Sequence, residues 1–189
     1  LVISGGLFHG LQLWVNLPAA QKMVSPAYQN LDADQVKLFT TPDAGTLVRL
    51  IAGNIAGIQG PGSTRTPIVM AHATILPGSQ MVLPWNPAFN ALAHVVKGSG
   101  FVGIDNHSFG VGQTAVFGTG DSITLAASPH EALDVILLGG QPIGEPVEQY
   151  GPFVMNTRAE LQQAMDDYQR GRLGTVPSGG VQPYRGPRK

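Results

Sequence analysis

Between Thr46 and Leu138 the chain is cut into short apolar runs, each closed by glycine, proline or a compact polar turn. Leu47–Ile51 stops at Gly53, and residues 55–58 make a second short run. Pro67–Leu76 ends at the pair Pro77-Gly78. Ala91–Val96, the Gly98-Ser99-Gly100 connection and Phe101–Ile104 read as a hairpin with glycine in its turn. Asp105-Asn106-His107 marks another turn, and residues 113–117, 122–125 and 133–138 complete the series. The punctuation returns too soon for helices, so these are strands. About eight strands of this kind bury their apolar sides by closing into a barrel or a double-sheet jelly roll. The expected fold is all-β, a jelly roll, with its domain over residues 46–156.

Composition narrows the function classes. Charged residues are only 12% of the 189 and the net charge is −1, against roughly 25% charged in average globular proteins. That profile carries no electrostatic footprint for direct nucleic-acid or anionic-membrane binding. There are no cysteines, which excludes disulfides, thiolate metal sites and cysteine nucleophiles and agrees with a cytoplasmic location. No apolar run approaches the ~20 residues of a membrane span, and the start does not read as a signal peptide.

The flanks differ from the middle. In Leu11–Leu17, Leu11, Leu13, Val15 and Leu17 alternate with Gln12, Trp14 and Asn16, a strand pattern ended by Pro18. Such a strand belongs either in a barrel wall lining a polar pocket or on a sheet surface. Residues 18–45 read as an inter-domain linker, ordered by Met23, Val24, Tyr28 and Leu38, with a turn or short helix at 32–37. Near the C-terminus Thr157 and Glu160 form a capping-box pattern, and Leu161, Ala164, Met165 and Tyr168 fall on one helical face. A helix is therefore expected over 157–173, packed on the barrel exterior, followed by a disordered tail over 174–189.

The segments GGLFHGLQLWVNLPAAQKMVSPAYQ (residues 5–29) and GGQPIGEPVEQYGPFVMNT (139–157) resemble the pirin family, whose members are two-domain cupins. The resemblance implies a cupin-type double-stranded β-helix with a C-terminal α-helix. It also implies that residues 1–17 close an N-terminal cupin otherwise absent from this chain, and that 46–156 is the C-terminal cupin. Family iron sits in the N-terminal cupin, upstream of the HGxQLW strand. The resemblance thus implies Fe(II) in the full-length protein and no metal in this chain, leaving His9, Gln12, Trp14 and Asn16 as pocket-wall candidates.

Cupins bind metal through a first motif, Gly-x5-His-x-His-x3–4-Glu-x6-Gly, and a second that supplies another histidine. A 2-His-carboxylate set on a rigid scaffold leaves coordination positions open for dioxygen or substrate. Counted from Gly78, the first-motif ligand positions fall on Pro84, Asn86 and Ala91, with Gly98 closing the motif. Gly118-Thr119-Gly120-Asp121 resembles the second, placing its histidine near Asp134. These four residues read as a degenerate metal site. His72, His94, His107 and His130 have no pairing at ligand spacing, and no G-x-S-x-G elbow, P-loop or dinucleotide fingerprint is present.

Three functions follow. In the first, the chain is the non-metal-binding cupin of a pirin-like protein, serving as a scaffold or interaction module for a regulatory protein partner or as a dimer. In the second, it is part of an iron-dependent quercetin 2,3-dioxygenase acting on a flavonol-like molecule, with the active site in the missing half. In the third, outside the family, it is a jelly roll that binds a sugar or small ring, with Trp85 and Phe89 beside Pro84 and Asn86 as the stacking platform.

Overall fold

The computed structural model describes residues 10–174. Two compact units emerge: Val24–Ile143, and the two chain ends, Leu1–Met23 with Gly144–Lys189. His9 and residues 175–189 of the expected tail lie outside the described residues. No helix among those described is long and apolar enough to cross a membrane.

The larger unit is a β-sandwich of the expected all-β class. Its strands are β1 (Lys37–Thr40), β2 (Thr46–Ala52), β3 (Asn54–Ile55), β4 (Ile58–Gln59), β5 (Ile68–Ile75) and β6 (Gln80–Pro84). They continue with β7 (Asn90–Lys97), β8 (Ser99–Val102), β9 (His107–Gly110), β10 (Thr114–Val116), β11 (Ser122–Ala127) and β12 (Leu133–Gly140). One sheet runs β1-β2-β5-β12-β7-β10 and the other β6-β11-β8-β9, with β3 and β4 as a separate two-stranded ribbon. Side chains alternate strictly. Val48 and Leu50, Ala71, Ala73 and Ile75, Ala91, Ala93 and Val95, and Leu133, Val135 and Leu137 line the inner face of the large sheet. From the small sheet Met81, Leu83, Phe109, Ile123 and Leu125 join the same core. Alanines on β5 and β7 make room for the bulky residues of the small sheet, the size alternation that lets two sheets interdigitate without voids.

Several expectations need correction. Ala91–Val96 and Phe101–Ile104 are not a hairpin: β7 pairs with β12 and β10, whereas β8 pairs with β11 and β9. Gly98, at φ +82°, carries the chain from one sheet to the other, and a Cβ there would meet Ala132 O at 2.0 Å. Residues 55–58 are not one strand but the turn of the β3–β4 ribbon. β6 and β9 escaped the sequence reading altogether. β12 continues through Gly139, paired with Val69 and Ala91, and Gly140, paired with Ile68 and Asn90, on either side. The segment read as linker contains β1, paired with β2.

The smaller unit holds β13 (Glu148–Tyr150), β14 (Phe153–Met155) and α1 (Arg158–Gln169), together with a 3-10 turn at Ala19–Gln21. β13 and β14 form a hairpin. The helix starts where predicted: Glu160 N donates to Thr157 Oγ1 at 3.2 Å, and Asn156 N to Glu160 Oε2 at 3.1 Å. Leu161 is buried, whereas Tyr168 remains 67% exposed and meets Phe153 edge-on at 6.1 Å. Glu145 Oε2 accepts from Ala19 N (2.7 Å) and Asn156 Nδ2 (2.8 Å), joining the two chain ends within this unit. Leu11–Leu17, expected as a strand, carries no strand. A strand needs a ladder partner, and here Leu11, Val15 and Trp14 stay exposed, Trp14 by 79%.

Candidate functional site

The barrel interior is the place where a cupin would hold metal, and the register of β6 decides what faces it. Met81, Leu83 and, just past the strand, Trp85 are buried; Gln80, Val82, Pro84 and Asn86 are exposed. The motif count from Gly78 therefore lands one residue out of phase with the pleat, and Pro84 and Asn86 do not point inward. Ala91 does, but has no donor atom. Asp134 lies on the opposite face of β12 from the buried Leu133 and Val135. The four positions do not converge, and hydrocarbon fills the interior. Among the described residues no group of three or more His, Asp or Glu side chains could hold a metal ion. The inward residues do not fit iron.

Asp134 instead anchors a polar cluster on the outer face of the large sheet. Its Oδ1 accepts from Thr74 Oγ1 at 2.6 Å, and that hydroxyl accepts from Arg49 Nη1 at 2.8 Å. His72 Nε2 lies 3.3 Å from the same carboxylate oxygen. A carboxylate this near would raise an imidazole pKa, yet partial burial, chiefly, and the Arg49 guanidinium outweigh it and hold His72 below its ordinary range. His94 Nδ1 contacts Thr114 Oγ1 at 2.8 Å on the neighbouring strands, while His107 and His130 are exposed.

One end of the sandwich carries a cavity of about 450 Å³. The β3–β4 ribbon and the loop after it form one wall through Asn54, Gln59 and Thr64; the turn between β6 and β7 forms the other through Pro84, Trp85, Asn86 and Phe89. The first wall is braced. Gly60 N donates to Gly53 O and Gly62 N to Ile51 O, both at 2.8 Å, and Gln29 bonds both Pro61 O (3.0 Å) and Ser63 N (2.7 Å). Trp85 and Phe89, named together in the sequence, both line this cavity, Trp85 as a buried residue. The ribbon residues were missed, although Ala56-Gly57 between two isoleucines was a turn signal.

Of the pocket-wall candidates, Gln12 and Trp14 are exposed. Asn16 is half-buried, its Oδ1 accepting from Lys22 Nζ at 2.7 Å.

Residues 70–174 match the family described as the pirin C-terminal cupin domain. Pirin-1 of Arabidopsis thaliana is 38% identical over 169 residues, 88% of this chain and 58% of the relative. Pirin of Homo sapiens is 34% identical over 168 residues, covering 88% of this chain and 57% of the relative. A crystal structure of quercetin 2,3-dioxygenase from Acinetobacter baumannii superposes with a TM-score of 0.78 at 32% identity, covering 86% of this chain and 56% of that one. The chain thus spans somewhat over half the length of the relatives it matches.

Proposed function

The chain belongs to the pirin family, and on that premise we propose that it is the non-catalytic cupin portion of a pirin-like protein, a scaffold and protein-interaction module. The observation that carries this reading is the packed interior. Leu83, Trp85 and Ala91 are buried in that interior and none carries a side chain suited to holding a divalent metal, so the fold is retained without a ligand set. Such a domain keeps its shape for what it holds in place. In this reading Leu11–Leu17 closes an N-terminal cupin in a protein of the relatives' length. The exposed apolar Leu11 and Val15 then enter a core, and Gln12, Trp14 and Asn16 form part of a pocket wall. A regulatory protein, or a second copy of the chain, is the partner, in the cytoplasm.

The similarity to the A. baumannii quercetin 2,3-dioxygenase favours a second reading, in which that longer protein is an iron-dependent flavonol oxygenase and this chain supports its active half. Both readings place Fe(II) outside the residues described here. Metal content by mass spectrometry and quercetin turnover, measured on this chain and on a longer form, test them. The chain alone should hold no stoichiometric iron and turn over no quercetin. Turnover by the longer form selects the oxygenase, and binding of a partner without turnover selects the interaction module. Iron bound one-to-one by this chain overturns both.

A further inference from the structure

The cavity between the β3–β4 ribbon and the β6–β7 turn is absorbed by neither reading. We propose that it is a binding site for a small neutral ring bearing hydroxyl groups. Its size lies within the roughly 300–1,000 Å³ of small-molecule pockets. The lining contains no Lys, Arg, His, Asp or Glu, so nothing there compensates an ionic ligand, and burying an unpaired charge is costly. What it does offer is a short set of uncharged polar groups around an apolar platform, the composition that orients a ring through its substituents.

The polar groups are prepared for an incoming partner. Asn86 Oδ1 accepts from Ala88 N at 2.9 Å, which fixes the carboxamide and leaves Nδ2 as a donor. Asn54 Nδ2 and Gln59 Oε1 meet only at 3.4 Å and Gln59 Nε2 reaches Gly60 O only at 3.5 Å, long contacts that a ligand hydroxyl can replace with better ones. Phe89 and Pro84 supply apolar contact, and Trp85, 7% exposed, lines the same wall between them in sequence. Since hydroxyl groups both donate and accept, they match carboxamides in a way that a purely apolar ligand does not.

The test is NMR titration of the whole 189-residue chain with two probes of the class, methyl β-glucopyranoside and catechol. Saturable shifts of the Asn86 and Gln59 side-chain amides with either probe are expected; the probe that produces them separates a saccharide source from a phenolic one. Asn86→Asp keeps the acceptor that caps Ala88 N but removes the donor, and should weaken binding about tenfold, the equivalent of roughly 1.4 kcal/mol. Gln59→Ala, on the exposed face of the ribbon, should also weaken it while leaving the thermal midpoint unchanged. Absence of saturation by both probes up to about 10 mM, a concentration that would reveal even millimolar affinity, overturns the proposal. So does saturable binding that neither substitution alters.

Discussion

The indole of Trp85 fills the space that a side chain at position 139 would need: a Cβ built on Gly139 would lie 2.5 Å from Trp85 Cζ2. The same Cβ would lie 2.1 Å from Asn90 O on the adjacent strand. Gly139→Ala should therefore destabilise the larger unit by at least the 1–3 kcal/mol or so typical of overpacking. Trp85→Phe should not rescue it, because the clash with backbone remains. Denaturant midpoints of the two single variants and the double variant decide this; full recovery in the double variant would mean that the indole alone excludes the methyl group.

His72 predicts an acid-side loss of stability. Its folded-state pKa lies below the unfolded value of about 6.5, so below that pH the unfolded chain takes up a proton that the folded chain resists. The stability of the neutral, packed imidazole is complete above pH ~6.5 and falls as pH drops toward the folded pKa. His72→Gln should flatten that part of the curve. Unfolding free energies of both proteins from neutral pH into the acid range give the comparison; identical slopes would contradict the assignment.

Removal of the helix cap should act locally. Thr157→Ala deletes the acceptor for Glu160 N and should cost about 1 kcal/mol. Amide exchange at Glu160 and Leu161 should accelerate correspondingly, while amides of the Val24–Ile143 unit keep their protection. Unchanged exchange at the first turn would show that the cap contributes nothing measurable.

Glu145 should matter more than its half-buried setting suggests. Its Oε2 serves Ala19 N and Asn156 Nδ2 together, so Glu145→Ala leaves two donors without their charged acceptor. A loss of about 1–2 kcal/mol in protection at Ala19 is expected, at the low end for charge-assisted bonds because water can substitute. Exchange at Ala19 that does not respond to the substitution would contradict this joint.

Much of this molecule was legible before any coordinates. Gly and Pro spacing, with period-two alternation, identified an all-β fold, and Thr157 and Glu160 marked the helix start, because these signals arise within a few residues of one another. The degenerate metal positions show the limit of that reasoning. The Met81, Leu83, Trp85 alternation already stated which side of β6 is buried. Counting from Gly78 instead selected Pro84 and Asn86, the opposite parity, and a one-residue slip in a strand moves every side chain to the other face. Those two residues line the end cavity, a place that motif spacing had no means of indicating.

The sequence by itself determined the local quantities: most of the runs that extend, the helix start, the apolar side of those runs, and the family to which the chain belongs. Only the tertiary structure decided that β7 and β8 part company at Gly98 into different sheets. It alone brought Asp134 to Thr74, 60 positions apart in the chain, and set Asn54 and Gln59 opposite Phe89 around one cavity. The reason is physical. Alternation constrains a strand's own two faces, whereas partner choice and cavity walls depend on how all the strands satisfy their hydrogen bonds and volumes at once.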